Sequence, residues 1–509
     1  MGVTAEGFER RRSFLIGKAK PNAIVGRNRE TGELAVLVVA CALAMIAAFV
    51  VPTLFLKILM IIGLPAAGAA VIFLPYRKRT LYRWFEIDRS YRRLLRSGSA
   101  RYASAAVEAG TRLGGLELPI PTPPGIGRVR WLTANFGPDK LAVLMHLDRS
   151  MVTCTLEIEG PGVGSRDAED QEALVDRFGT LLRHVANGDG FVTRLQMLAR
   201  TLPADPDAHA KDVLKRGNPE AAQWLRDSYD HLLSMVSTSS EQHRAYLTAS
   251  MPYTRELANE ARVMAGGADP DHGLCVIMVR ELTDICARLA DADIKVRRPL
   301  DVPALSSLVH SMYDPEHPID HTDAMGERDA WPAEFDGSSP LFLRAKTRES
   351  ATSEPWCHAT AWVREWPLTP VTVNFLAPLL VHTPDVIRTV AVTMDLEPTE
   401  VAIERMLTEK VNVDAEDRRQ AKLGRIDDPR ERAHSSRVDL RGEDLAAGAA
   451  GVNLVGYITV SSRSPEALSR DKRTIRASAG KSFLKLEWCD REHHRAFLNT
   501  LPFATGVRR

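Results

Sequence analysis

Hydrophobic positions are concentrated near the start of the chain. From Leu34 to Val51 the sequence reads LAVLVVACALAMIAAFVV without a charge, and as a helix it would extend about 27 Å, enough to cross a bilayer. Pro52 and Thr53 break the run, and Leu54 to Leu74 is apolar again apart from Lys57, which lies close enough to the turn to reach the headgroups. Two such runs predict a transmembrane helical hairpin. A secretory leader fits poorly, because the first run starts well inside the chain and continues into a second with no small-residue cleavage site between them. Apolar runs of this length are also rare in soluble hairpins.

The flanks predict orientation. Arg10, Arg11, Arg12, Lys18, Lys20, Arg27 and Arg29 precede the first run, and Arg77, Lys78, Arg79 and Arg83 follow the second. Positive charge on both flanks places both termini in the cytoplasm, as expected of a multi-pass protein of the cell membrane. The next segment, Arg79 to Arg96, brings Leu81, Trp84, Phe85, Tyr91, Leu94 and Leu95 near one helical stripe, with Arg83, Arg89, Arg92, Arg93 and Arg96 mostly elsewhere. This is the pattern of an amphipathic helix in the membrane interface, with Arg77, Lys78, Arg79, Arg83, Trp84 and Phe85 as candidate contacts. A packed juxtamembrane helix with a solvated basic face explains the pattern equally well.

Beyond the Pro-rich connector at Pro119 to Gly125 the period changes to two. Leu141 to Leu147 and Met151 to Glu159 predict a hairpin turned by Asp148, Arg149 and Ser150. A helix capped by Ser165 or Asp167 should follow, with Leu174, Phe178, Leu181, Leu182 and Val185 on one face and Asn187-Gly188 as its stop. Phe191 to Thr201 predicts a strand and Ala221 to Val236 a helix, an order that suggests a ferredoxin-like layer. Residues Arg255 to Tyr313 look mostly helical and Asp314 to Ser353 like a long loop. Strand patterns resume at Trp356 to Glu365, Val371 to Leu376 and Val386 to Met394. After a charged stretch from Asp414 to Asp444 come strand Asn453 to Ser461, a helix capped by Ser464 with Pro465 in its first turn, strand Ser482 to Glu487 and helix Arg491 to Leu501. The expected architecture is α+β, with ferredoxin-like layers after the transmembrane hairpin. Its divisions are a cytoplasmic arm (1–33), the hairpin (34–75), a basic helix and connector (76–125), a first α+β unit (126–254), a helical segment with a long loop (255–352) and a second α+β unit (353–509) with the charged linker near 414–444.

Composition narrows the function. With 509 residues, 45% of them apolar, several domains can form cores. A net charge of +1 lacks the footprint of a dedicated nucleic-acid binder, so no stable nucleic-acid binding is expected. The six cysteines are scattered singly, which suits a reducing cytoplasm and argues against zinc ribbons or a disulfide framework.

The candidate chemical motifs are weak. Gly480-Lys481-Ser482 matches the end of a phosphate loop, but the leading glycine would fall at Ile475, and a helix precedes the motif where a strand is needed. Gly160-Pro161-Gly162-Val163-Gly164-Ser165 joins a strand to a helix, which explains it without an anion. Val390 to Asp395 resembles a strand ending in a metal-binding carboxylate but has no phosphate loop to serve. His317 and His321 have ligand-like spacing, yet Pro318 disfavours a helix between them. His493 and His494 fall on an apparently polar helix face with no nucleophile motif nearby. No cofactor, metal or catalytic set is expected, and the protein is not expected to be an enzyme.

Several segments carry a resemblance: the hairpin followed by Arg79-Thr80-Leu81-Tyr82-Arg83-Trp84; Glu159-Gly160-Pro161-Gly162; Val192 to Pro203 (VTRLQMLARTLP); His358-Ala359-Thr360 with Glu365-Trp366-Pro367; and Phe497 to Pro502 (FLNTLP). On these the chain resembles actinobacterial conjugation-associated membrane proteins, in which a two-helix membrane subunit is fused to a domain similar to the N-terminal, non-motor domain of type IV secretion ATPases. The phosphate-loop motor of the complete ATPases has no counterpart within the 509 residues. The resemblance therefore implies a non-enzymatic inner-membrane component that docks a separate cytoplasmic ATPase and other transfer-apparatus subunits, in several copies if the motor is hexameric. A membrane component of another export machine, such as type VII secretion, or a membrane-bound enzyme with a site built from distant residues are the alternative expectations.

Overall fold

A computed structural model describes residues 31–50, 52–73, 75–76, 79–104, 122–162, 166–203, 222–239, 241–267, 269–347, 354–367, 371–422, 442, 445 and 448–506. They belong to two compact units, one within residues 20–99 and one within 100–509.

The first unit contains helices α1 (Thr31–Val50), α2 (Leu54–Phe73) and α3 (Leu81–Arg96). α1 and α2 pack together with small residues inside. Ala40, Ala44 and Ala47 are buried, and a Cβ on Gly68 would lie 2.7 Å from that of Ala40, so this approach requires glycine. Most of the large side chains point outward, Val39, Leu43, Ile46, Phe49, Phe55, Leu59 and Ile62 all being exposed, whereas Ile72 near the end of α2 is buried. Among the described residues one stretch, Leu54–Ile72, is long and apolar enough to cross a membrane; that of α1, Val38–Val50, is shorter.

The second unit is mixed α and β and is built on a single antiparallel sheet of 13 strands among the described residues. In chain order these are β1 (Arg101–Ala103), β2 (Val129–Phe136), β3 (Asp139–His146), β4 (Met151–Glu159), β5 (Arg194–Pro203), β6 (Glu241–Pro252), β7 (Lys295–Pro299), β8 (Glu334–Asp336), β9 (Leu343–Lys346), β10 (Trp356–Glu365), β11 (Arg388–Glu397), β12 (Gly451–Ser462) and β13 (Lys485–Trp488). The helices are α4 (Ala168–Asn187), α5 (Gln223–Ser239), α6 (Arg255–Met264), α7 (Pro270–Asp291), α8 (Val302–Tyr313), α9 (Thr399–Lys422), α10 (Pro465–Lys481) and α11 (His493–Leu498).

The sheet order is palindromic. From one edge it runs β2-β3-β4-β6-β5-β11-β12-β10-β9-β8-β1, with β7 pairing with β4 beyond β3, and β13 pairing with β10 beyond β9. Strands β4 to β7 thus lie in the spatial order fourth, first, third, second, and β10 to β13 repeat that order. The halves meet where β5 pairs with β11 from Arg194↔Asp395 to Thr201↔Arg388. Local geometry repeats as well. α7 and α10 each end in a left-handed residue, Asp293 (φ 58°) or Phe483 (φ 56°). The next amide then reaches back five residues, Ile294 N to Leu289 O at 2.9 Å and Leu484 N to Ala479 O at 2.8 Å, closing the orphan carbonyls of the last turn. Lys295 or Lys485 then opens the short strand.

One sheet face carries two apolar clusters, one on each half of the sheet. Its first half is covered by α4, α6 and α7, through residues such as Leu181, Leu257 and Ile277, and its second by α10, through Leu468 and Ile475. The opposite face is covered by α8, the segment after it, α11 and the residues up to Gly506, with Leu305, Tyr313, Trp331, Phe497 and Phe503 buried there.

Much of the element pattern matches the sequence expectation, including β3, β4, β10 and α10 with its Ser464 cap, whose side chain accepts from Ala467 N at 3.2 Å. Three local expectations are corrected. The segment read as mostly helical contains β7, whose Lys-Val-Arg-Arg pattern hides a strand that gains its burial by pairing with β4. Within the expected long loop lie β8 and β9. Val371 to Leu376 is not a strand but a single bridge followed by a 3-10 turn over Val373–Leu376. There the buried Arg388 guanidinium donates to the carbonyls of Leu379, Leu380, Thr383 and Val386 at 2.6–2.9 Å, which holds the following chain in a compact turn.

Candidate functional site at the N-terminal helices

Helix α3 follows α2 after a short antiparallel pair, Pro75↔Thr80 and Tyr76↔Arg79. Thr80 caps it, its side chain accepting from Arg83 N at 3.3 Å. Ile87 and Tyr91 are buried and Trp84 is half-buried, whereas Phe85 is 65% exposed and Leu95 41%. Of the stripe read from sequence, Trp84 and Tyr91 turn inward together with Ile87, and Phe85 and Leu95 turn out. Arg77 and Lys78 lie outside the described residues, and Arg79 belongs to the short pair. Arg83 forms an ion pair with Glu86 (2.5 Å) and Arg92 with Asp88 (2.6 Å). Among the described residues, Arg89, Arg93 and Arg96 are exposed and have no carboxylate partner. Phe85 and Ile87 are about 160° apart on the helix, so only one can share the side of Trp84 and Tyr91, and helical spacing puts Ile87 nearer to both.

The other sequence candidates are structural. Lys481 is the last residue of α10, followed by a turn and β13, and Ser482 is buried, so Gly-Lys-Ser lies between a helix and a strand in the reverse of phosphate-loop order. Of the glycine run, Val163, Gly164 and Ser165 lie outside the described residues. Asp395, which the sequence placed at a strand end, lies within β11 and accepts from Arg194 Nε at 2.5 Å across the junction of the halves. His317 lies between His310 and His321, with ring centroids 4.4 and 6.5 Å away, and its Nε2 meets Ser307 Oγ at 3.1 Å. His493 and His494 are not on a polar surface as expected. Both are buried, and His493 Nδ1 accepts from Thr360 N at 3.1 Å. Among the described residues no group of three or more His, Cys, Asp or Glu side chains is placed to hold a metal. An open cleft of about 560 Å³ beside α4 and α7 contains Glu260, Arg280, Glu281 and Asp284, but these are engaged: Asp284 with His184 (2.6 Å), Glu281 with Phe191 N (3.0 Å), and Arg280 with Glu260 (3.7 Å).

A feature that the sequence did not announce is the polar character of the sheet face under α8 and α11. Thr153, Thr155, Gln196, Arg200, Thr248, His358, Thr360, Thr393 and Thr459 are all buried there. Part of the reason is the irregular segment Asn499–Ala504 laid across them, whose main-chain groups need partners. Gln196 donates to Asn499 O (3.0 Å) and accepts from Ala504 N (2.8 Å), and Arg194 donates to Ala504 O (3.0 Å). Arg200 reaches Thr389 Oγ1 at 2.9 Å and the Ser311 carbonyl, and burial lowers its pKa to about 10. Burial likewise lowers the imidazoles of His146 and His358 to about 3. Alternating Thr, Gln and Arg on β4, β5 and β6 was the available signal, but alternation alone reads as a solvated face.

In comparisons with known proteins, no family model matches the chain and no curated protein matches it.

Proposed function

We propose that this protein is a membrane-anchored structural component of a transport machine, with α1 and α2 as a two-span hairpin and the sheet unit as a cytoplasmic platform. The observation that carries this reading is the inverted arrangement of α1 and α2. Alanines and Gly68 lie between the helices while most Leu, Ile, Val and Phe face out. In water the large apolar side chains would be the buried ones; small residues at the contact with an apolar exterior are the arrangement of helices packed in lipid. At 20 residues, α1 is long enough to span with its partner, and the basic flanks support cytoplasmic termini.

Within the platform, the twice-repeated order fourth, first, third, second of antiparallel strands, with helices on one face, supports two ferredoxin-like units fused side by side through β5 and β11. A rigid sheet with irregular elements packed into a satisfied polar face suits a scaffold. Together with the resemblance noted from sequence, this favours an inner-membrane component of a conjugative, type IV-like secretion system that docks a separate ATPase, without catalysis of its own. The test is affinity purification of the tagged protein from detergent-solubilised membranes, with mass spectrometry of its companions. Recovery of a phosphate-loop ATPase with other membrane subunits is the expected result. A protein extracted from membranes by alkaline carbonate, or one that hydrolyses ATP with activity lost in Lys481→Ala, overturns the reading.

A further inference from the structure

We infer that the outward face of α3, formed by Phe85, Arg89, Arg92 and Arg96, is a binding surface for anionic phospholipid headgroups. The inference rests on the membrane-anchored reading above and assigns a ligand to the helix that follows the anchor. At 100° per residue these four positions, spaced i, i+4, i+7 and i+11, fall within about 60° of one another, and Arg93 flanks them. The inner stripe of Trp84, Ile87 and Tyr91 is on another side, so the packed and the cationic faces are separate surfaces.

Three observations choose lipid as the occupant. Charge is the first: Arg89, Arg93 and Arg96 are exposed with no carboxylate partner among the described residues, and Arg92 shares only Asp88. The second is Phe85, 65% exposed at the N-terminal end of that cationic face, the end nearer the apolar stretch. A ring there lacks apolar neighbours in water, but it has them at the headgroup–acyl boundary, where aromatic side chains partition. Tether length is the third. Thr80 pairs with Pro75, about 5 Å away between Cα atoms, and Pro75 is three residues past Ile72. At no more than about 3.6 Å per residue, Leu81 starts within about 20 Å of the end of the apolar stretch, in or just beyond the headgroup layer.

The test uses the full chain in nanodiscs containing equal fractions of headgroup-photoactivatable phosphatidylglycerol and phosphatidylcholine, with the cross-linked peptides mapped by mass spectrometry. On Leu81–Arg96 phosphatidylglycerol should label in several-fold excess at low salt, and each arginine neutralised should reduce that excess. It should approach parity in Arg89→Gln/Arg92→Gln/Arg96→Gln and return in the corresponding triple Lys variant, which keeps the charge. Equal labelling by the two lipids, or no label on α3 in a chain that resists alkaline carbonate extraction, overturns the inference and leaves the anchor standing. Extraction of the chain by alkaline carbonate overturns the anchor as well.

Discussion

Gln196 illustrates how single side chains hold this molecule together. It sits fully buried on β5 and meets the main chain of the segment after α11 with both ends of its amide, at Asn499 O and Ala504 N. Gln196→Leu keeps the size but leaves two buried backbone groups without partners, and such groups cost about 1–3 kcal/mol each. Urea denaturation followed by tryptophan fluorescence should show a loss of about 3 kcal/mol, and an unchanged midpoint would mean that water replaces the amide. His146 and His358 give a pH dependence of definite sign. Both ordinarily titrate at 6.5, and burial lowers each to about 3; for His358 burial outweighs the opposing contact of Nε2 with the Tyr313 carbonyl (3.1 Å), while Nδ1 meets Ser461 Oγ (2.9 Å). Between these values the unfolded chain binds protons that the native one refuses, so stability is complete above pH 6.5 and falls as pH drops through the window. The slope is about 1.4 kcal/mol per pH unit per histidine. Going from pH 7.5 to 5.5 should therefore cost about 3 kcal/mol through this pair, with a further loss from His494, which burial lowers to about 4, and His358→Gln should remove about 1.4 kcal/mol of the total; equal losses in the two proteins would mean that other groups set the slope.

At the scale of elements, legibility followed local chemistry. Ser464-Pro465 announced α10 because a capping hydroxyl and a first-turn proline act within four residues of themselves, and the cap is made. Ser464→Ala should cost about 1 kcal/mol, visible as a lowered urea midpoint, with Ser464→Asp restoring it. The hairpin of β3 and β4 and the helix α4 were legible for the same reason, since turn residues and apolar period agree there. β7, β8 and β9 were hidden because their stabilisation is not local. Arg298 on β7 reaches the buried Glu157 at 2.8 Å, and Glu157 also accepts from Arg244 at 2.9 Å. A short strand rich in arginine makes sense only once that carboxylate is in place beside it. The face of α3 was half legible: its amphipathic character was plain, and helical spacing already put Ile87 rather than Phe85 on the side of Trp84 and Tyr91, a distinction lost when the apolar residues were grouped as one broad stripe.

At the scale of the sheet unit, the two halves exchange their closing segments. The first half ends in α8, whose Tyr313 carbonyl meets His358 and whose following residue, Asp314, accepts from Trp356 Nε1 at 2.9 Å, both on β10 of the second half. The second half ends in α11 and the segment that crosses back to Arg194 and Gln196 on β5, while Phe503 packs on His146 with ring centroids 5.2 Å apart. Tyr313 and Phe497, one from each half, stack at 5.1 Å where the exchanged segments pass. With β5 and β11 also forming a continuous ladder, each half lacks both a strand partner and the cover of its polar face when alone. An exposed β5 edge beside uncovered buried-type residues is a surface that aggregates. Dividing the chain between the exposed Asp323 and Ala324 leaves every one of these contacts intact. Residues 1–323 and 324–509 expressed together should therefore co-purify as a tight pair in which a tag on either recovers both, with a hydrogen-exchange pattern at β5 and β11 matching that of the intact chain. Expressed separately, each should be aggregated or unprotected at its junction strand. A half that is monodisperse and unfolds cooperatively by itself would show that the exchange is ornamental, and that the halves are independent domains merely placed edge to edge.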